Sequence, residues 1–215
     1  KSNMEAVLQK LFDAVLEGDF GGVQSNVQEA LDANLDPNTI LNDGMIAAMR
    51  EVGRRFEEGE YYVPEMLIAA RAMQSGMMTL KPHLQKGDAK PSGKVVIGTV
   101  KGDLHDIGKN LVALMLEGDG YVIKDLGVDV PVEDFIRAIK EEKPDILAMS
   151  ALLTTTMSMM KTTIEAVIAE GLRDEVKIII GGAPVTETFA NRIGADGFSP
   201  DASRAVGMVH AWLEK

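Results

Sequence analysis

The chain has 215 residues, with no cysteine and only three histidines, His83, His105 and His210. Disulfides, Cys-x-x-Cys redox chemistry, thiolate zinc sites and cysteine-ligated iron–sulfur clusters are thereby excluded. Metal chemistry must then use very few nitrogen ligands, or a metal that arrives inside a cofactor. The densest chemistry lies in residues 101–110 (KGDLHDIGKN), where Asp103 stands two residues before His105. A carboxylate so placed can accept a hydrogen bond from one imidazole nitrogen, which leaves the other free for a metal and makes it more basic. Gly102 and Gly108 flank the pair and permit close backbone approach to something bulky. A surface histidine at a helix start is the plainer reading of the same residue. Ser150 and Thr154-Thr155-Thr156 put four hydroxyls into seven residues, either as helix caps or as partners for a polar ligand group. Gly181-Gly182 removes two side chains in succession and opens a slot.

These groups acquire meaning from the elements that carry them. Residues 94–215 alternate short β-branched runs with helical stretches: Val95–Val100, Tyr121–Ile123, Ile146–Met149, Val176–Ile180 and a weaker run at Ala195–Phe198. Near-continuous apolar strands imply a sheet covered on both faces, and strict alternation with helices implies a doubly wound, five-stranded parallel sheet. Ligands of such sheets sit outside the carboxyl ends of the strands. His105 follows the first strand, Ser150 and the threonines the third, and the glycine pair the fourth. The three features then share one edge, as a long pocket with one histidine at its mouth.

Residues 1–85 read as helix throughout. Ser2 and Glu5 form a capping-box pattern ahead of Met4, Val7, Leu8, Leu11, Phe12 and Val15. Val23, Val27, Ala30 and Leu31 mark a second helix. Asp36-Pro37 starts a third, with Ile40, Leu41, Met45, Met49, Val52 and Phe56 on its buried stripe. Pro64 opens a fourth, bearing Leu67, Ile68, Met73, Met77 and Leu80. Four helices on short loops make a four-helix bundle. The polar stretch after it divides the chain into a helical cap (1–86), a linker (87–93) and an α/β domain (94–215).

Net charge is −11, spread evenly over the two halves, with no basic patch for a nucleic-acid backbone. No apolar run approaches the ~18 residues of a membrane span and no signal peptide opens the chain, so a cytoplasmic protein is expected. The 13 methionines, among them Met157, Met159 and Met160, read as core filling. His83 and His210 lie on helices where surface or dipole roles suffice.

Asp103-Leu104-His105-Asp106-Ile107-Gly108, then Ser150-Ala151-Leu152 with Thr154, then Gly181-Gly182, resemble the signature of cobalamin-binding domains. The type is that of cobalamin-dependent methionine synthase and of methyltransferase corrinoid proteins. Residues 56–65 (FEEGEYYVPE) resemble that family's helical cap, so the likeness spans almost the whole chain. It implies a flavodoxin-like sheet and a cobalamin or related corrinoid. His105 would be the lower axial cobalt ligand in place of the cofactor's own benzimidazole. Asp103 would hydrogen-bond His105, with Thr156 at the position of a hydroxyl that completes the relay. Gly108, Ser150, Leu152, Thr154, Gly181 and Gly182 would line the slot for the displaced nucleotide tail, with Phe198 and Asp201 near its end. Tyr61, Tyr62 and Met66 would cover the reactive upper face.

The same resemblance implies a non-catalytic subunit that carries a methyl group on cobalt. Its partners would be a substrate-specific methyltransferase for methanol, methylamine, betaine or methoxyarene, a second methyltransferase to coenzyme M or tetrahydrofolate, and a reductive activase. Nucleic acid and membrane would not be partners. A cobalamin-binding sensor would use the same parts but normally adds a DNA-binding module, and a mutase cobalamin subunit usually lacks the four-helix cap. A receiver-type phosphoacceptor also uses aspartates at strand ends, without need of the paired glycines or His105.

Overall fold

The computed structural model describes residues 2–83 and 92–213, so most of the expected linker lies outside the described residues. The chain groups into two units, Lys1–Lys90 with Gly118–Gly120, and Pro91–Glu117 with Tyr121–Lys215.

In the helical unit α1 (Ser2–Leu16) buries Val7, Leu11 and Val15, and α2 (Phe20–Asp32) buries Val23, Val27 and Ala30. Asp19 caps α2 by accepting from the Gly22 amide at 2.9 Å. The third expected helix is one run of three parts: α3 (Pro37–Thr39), a π-helical segment (Ile40–Ile46) and α4 (Ala47–Glu57). The widened turn fits the sequence spacing, because Ile40 and Met45, five residues apart, are both fully buried. Gly44 in this segment lets Leu11 approach, since an added Cβ would stand 2.7 Å from its Cδ2. α5 (Val63–Leu80) begins with the Glu65 carboxylate accepting from the Tyr62 amide at 2.9 Å. Its Gly76 makes room for Val23 and Met45, and the Tyr61 hydroxyl donates to the Leu16 carbonyl at 2.9 Å.

The α/β unit runs β1 (Lys94–Thr99), α6 (Ile107–Gly118), β2 (Val122–Asp125), α7 (Val132–Glu142), β3 (Ile146–Ser150), α8 (Ser158–Ala169), β4 (Lys177–Gly181), α9 (Glu187–Ile193), β5 (Gly197–Ser199) and α10 (Ala202–Leu213). All neighbouring strands pair in parallel, in the order β2-β1-β3-β4-β5. That is the flavodoxin-like order, whose switch point falls between β1 and β3. Thr99 and Ser150 are register partners at this point.

Alternate strand residues build two cores. Val96, Leu147, Met149, Ile178 and Ile180 pack with Phe135, Ile139, Met160 and Ile164 from α7 and α8. Val95, Ile97, Ile146, Ala148 and Ile179 pack with Leu116, Ala205 and Val209 from α6 and α10. β2 departs from the expected double coverage: it is an edge strand, with Val122 exposed and Ile123 half-buried. Met160 is buried and Met157 and Met159 pack against the same core, the role expected of them.

Gly98, in the middle of β1, admits the ring of fully buried Phe135; an added Cβ would lie 2.9 Å from its Cε1. Two walls close the space, because Val130 Cγ2 would also be 3.1 Å away. Gly98→Ala is therefore expected to cost about 1–3 kcal/mol through overpacking. Urea denaturation, with the midpoint falling and the slope unchanged, checks this.

Candidate functional site

The carboxyl ends of β1 and β3 converge on one buried group. Asp103 is fully buried, yet its side chain accepts four hydrogen bonds. Its Oδ1 accepts from the His105 amide at 3.1 Å and from His105 Nδ1 at 2.8 Å. Oδ2 accepts from the Leu152 amide at 2.8 Å and the Thr156 hydroxyl at 2.7 Å. Burial alone would raise the Asp103 pKa. The bonds from Thr156, Leu152 and His105 outweigh it and hold the carboxyl well below its ordinary range. A carboxylate kept ionised can only accept, so Nδ1 of His105 carries a proton and Nε2 is the ring nitrogen left facing away from Asp103. The imidazole is 49 % exposed, so Nε2 is within reach of a ligand.

Local folding explains this placement. Gly102, at φ +85°, turns the chain out of β1, and the Asp103 amide closes the turn onto the Val100 carbonyl at 3.1 Å. Thr99, fully buried at the end of β1, donates to the His105 carbonyl at 2.9 Å. Its hydroxyl proton is committed there, so Ser150, 2.9 Å away, donates to Thr99. Thr99 was missed in the sequence, where a strand-end threonine looks like any β-branched residue. Leu152 holds Asp103 through its main-chain amide, and the residue is itself 41 % exposed on this edge. Thr154 is also exposed on this edge.

The glycines divide by cause. Gly182, at φ +130°, is required by the protein itself, because an added Cβ would lie 1.8 Å from the Ala151 carbonyl oxygen. At Gly181 the nearest atom, the Ser199 carbonyl oxygen, would be 3.0 Å away. At Gly108 an added Cβ meets nothing within 4 Å, so no packing within the protein demands that glycine. Leu104 and Ile107 in the His105 loop, and Leu152 and Leu153 in the loop after β3, are exposed large hydrophobics. Leu104, Ile107 and Leu153 were not singled out in the sequence, although their run around Asp103-x-His105 was the available signal.

Two further carboxylates brace the loop. The Gly102 amide donates to Asp129 at 2.7 Å, and the Lys109 ammonium, 2 % exposed, contacts both oxygens of Asp125 at 2.8 and 2.6 Å. Asp201 serves as a cap, accepting from the Arg204 amide at 2.9 Å, and Phe198 packs against the sheet core. In the helical unit Met66 is fully buried, Tyr61 is tied to Leu16, and Tyr62 keeps a 67 % exposed side chain. His83 is exposed, and His210 packs edge-on against Tyr121 at 5.7 Å.

The donor set fits a corrinoid. A corrin ring brings its own equatorial nitrogens, so one oriented imidazole is enough protein ligation, and the apolar residues and the open side of Gly108 suit a broad macrocycle. No group of three or more His, Cys, Asp or Glu that could hold a bare metal ion occurs among the described residues. A flavodoxin-like sheet with this edge defines a corrinoid-binding module. Family models described as B12 binding domain match residues 93–207 and residues 7–81. The chain belongs to the B12-binding corrinoid proteins. It is 42 % identical to trimethylamine corrinoid protein 1 of Methanosarcina acetivorans over 99 % of both chains. It is also 42 % identical to the dimethylamine corrinoid protein of Methanosarcina barkeri, over 97 % of this chain and 98 % of that one. Among solved structures, the methanol:cobalamin methyltransferase complex of Methanosarcina barkeri matches with TM-score 0.88 and 31 % identity, covering 97 % of this chain and 80 % of that one. A cobalamin-binding protein from Desulfitobacterium hafniense matches with TM-score 0.79 and 37 % identity over 99 % of both.

Thr156→Val is expected to destabilise the protein by about 1–3 kcal/mol, because a buried carboxylate loses a donor, while Thr156→Ser stays close to wild type. Chemical denaturation of the apo-protein distinguishes them. The folded Asp103 binds its proton less tightly than the unfolded chain, whose aspartates titrate near ~3.9. Its contribution is therefore present above that pH and is lost as pH falls toward the depressed folded value. Stability measured from about pH 6 down to about pH 3 should fall, and Asp103→Asn should flatten the slope in that window.

Proposed function

We propose that this chain carries a methyl group on a bound corrinoid between a substrate-specific methyltransferase and a second methyltransferase. When bound, the corrinoid cobalt supplies the nucleophile that accepts the methyl group and the centre that donates it. The protein's part is ligation, shielding and presentation. His105 Nε2 would be the protein's ligand to the cobalt, and the observation that carries this is the 2.8 Å contact of Nδ1 with buried Asp103. Asp103 fixes the ring's orientation and makes Nε2 more basic, while Thr156 and the Leu152 amide keep that carboxylate ionised. The chain Thr156–Asp103–His105 holds a proton at Nδ1, on the side of the ring away from the nitrogen that would bind the cobalt.

Leu104, Ile107, Leu152 and Leu153 exclude water from the lower side. Gly108, Ser150, Leu152, Thr154 and Gly181 would line the slot for the nucleotide tail, whereas the room beside Gly182 is taken by the Ala151 main chain. Of the three helical-unit residues expected at the upper face, Tyr62 is exposed and Met66 is fully buried. Trimethylamine and dimethylamine relatives match equally at 42 %, which supports a methylamine-type donor. The acceptor enzyme would pass the methyl group to coenzyme M or tetrahydrofolate, with a reductive activase restoring the cofactor. No helix of the described residues is long and apolar enough to cross a membrane, and we place the protein in the cytoplasm.

Reconstitution with methylcobalamin tests the assignment. The wild type should show a histidine-ligated absorption spectrum, and His105→Ala should shift it and weaken binding by about 10–100-fold. A bound corrinoid whose spectrum ignores His105→Ala rules out the ligand. Transfer from di- and trimethylamine in the presence of candidate methyltransferases tests the carrier role.

A further inference from the structure

We infer that the segment joining β2 to α7 is a positioning clamp for the His105 loop, with Asp129 holding one end and Asp125 the other. The inference rests on His105 as the cobalt ligand. Asp129 makes two bonds to the loop: its carboxylate accepts from the Gly102 amide at 2.7 Å, and its own amide donates to the Asp103 carbonyl at 2.9 Å. The chain is therefore pinned just before Gly102 and just after Asp103, before the Asp103 side chain is aimed. Asp129 does this from φ +50°, a left-handed conformation that residues with a β-carbon rarely adopt, aspartate among the tolerated ones. A glycine would meet the backbone requirement alone, and the carboxylate is what a glycine lacks.

The segment is itself laced to β1. The Thr99 amide donates to the Gly127 carbonyl at 2.9 Å, and the Val130 amide to the Thr99 carbonyl at 3.0 Å. At the far end of the loop, buried Lys109 in the first turn of α6 is held by Asp125 and by Asn110 Oδ1 at 2.7 Å. Asp125 is braced in turn by the Gly127 amide at 2.8 Å. Both anchors thus lie on one stretch of chain, which fixes the span between them and, with it, where Nε2 points. The side-chain partners of Asp125 and Asp129 are Lys109, Gly127 and Gly102 and not the imidazole, so they act through the loop.

Asp129→Gly removes the acceptor while relaxing the backbone, Asp129→Asn keeps an acceptor in a tolerated conformation, and Lys109→Met releases the other end. Each is reconstituted with hydroxocobalamin, and the absorption spectrum reports the histidine-ligated fraction. Amide hydrogen exchange at Gly102 and His105 is read on the apo-protein. Asp129→Gly and Lys109→Met are expected to speed exchange and weaken corrinoid binding by about tenfold, with Asp129→Asn close to wild type. If Asp129→Gly does not fold, Lys109→Met against Asp129→Asn carries the same comparison. Wild-type ligation and exchange in the folded Asp129→Gly or Lys109→Met protein overturn the clamp, as does an Asp129→Asn protein as impaired as Asp129→Gly. His105→Ala separates the two readings. An unchanged spectrum there overturns the ligand assignment and the clamp with it, whereas a changed one beside unchanged clamp variants overturns the clamp alone.

Discussion

The site is organised around a negative charge kept where water cannot reach it. Taking a carboxylate out of water is costly unless every lone pair that matters is met by a donor. Asp103 meets that condition with two amides, a hydroxyl and an imidazole N–H. Two of the four donors come from the segment after β3, so the charge ties the β1 and β3 loops together as well as orienting His105. The arrangement could not be built by one loop alone. It requires β1 and β3 to be neighbours, and they are so only at the switch point of the sheet.

Much of this was legible in the sequence, because each strand that mattered was a short apolar run and each helix had an apolar period. The Asp103–His105 pairing was legible for the same reason, since a two-residue separation leaves little conformational choice. What escaped detection was polar and non-periodic. The bond from the Leu152 amide to Asp103 is made by main chain, which no side-chain pattern reveals. Thr99 reads as an ordinary strand residue until its partner across β3 is known. Asp129 sits in a stretch, Gly127-Val128-Asp129, that reads as a turn, and only the positive φ shows that the backbone is doing something unusual.

Other departures have simple physical causes. The third helix holds a π-helical segment because Gly44 allows α1 to come close, and glycine in a helix signals permissiveness without saying how the turn widens. Gly182 was expected to open space, yet it is needed where β4 ends against the main chain of Ala151. Gly108 is the converse: nothing in the protein fills the room beside it. Two glycines in one signature thus answer to different demands, one internal and one external.

The sheet has two margins, and both are poor templates for another strand. β5 is only three residues long, and β2 is four, ending in Lys124 and Asp125. Short, charged margins resist the edge-to-edge pairing that drives β-proteins into aggregates. A carrier that must meet different enzymes in succession, and leave each of them, gains from this. It can offer a surface to its visitors without offering a ladder of unpaired amides that would hold them indefinitely.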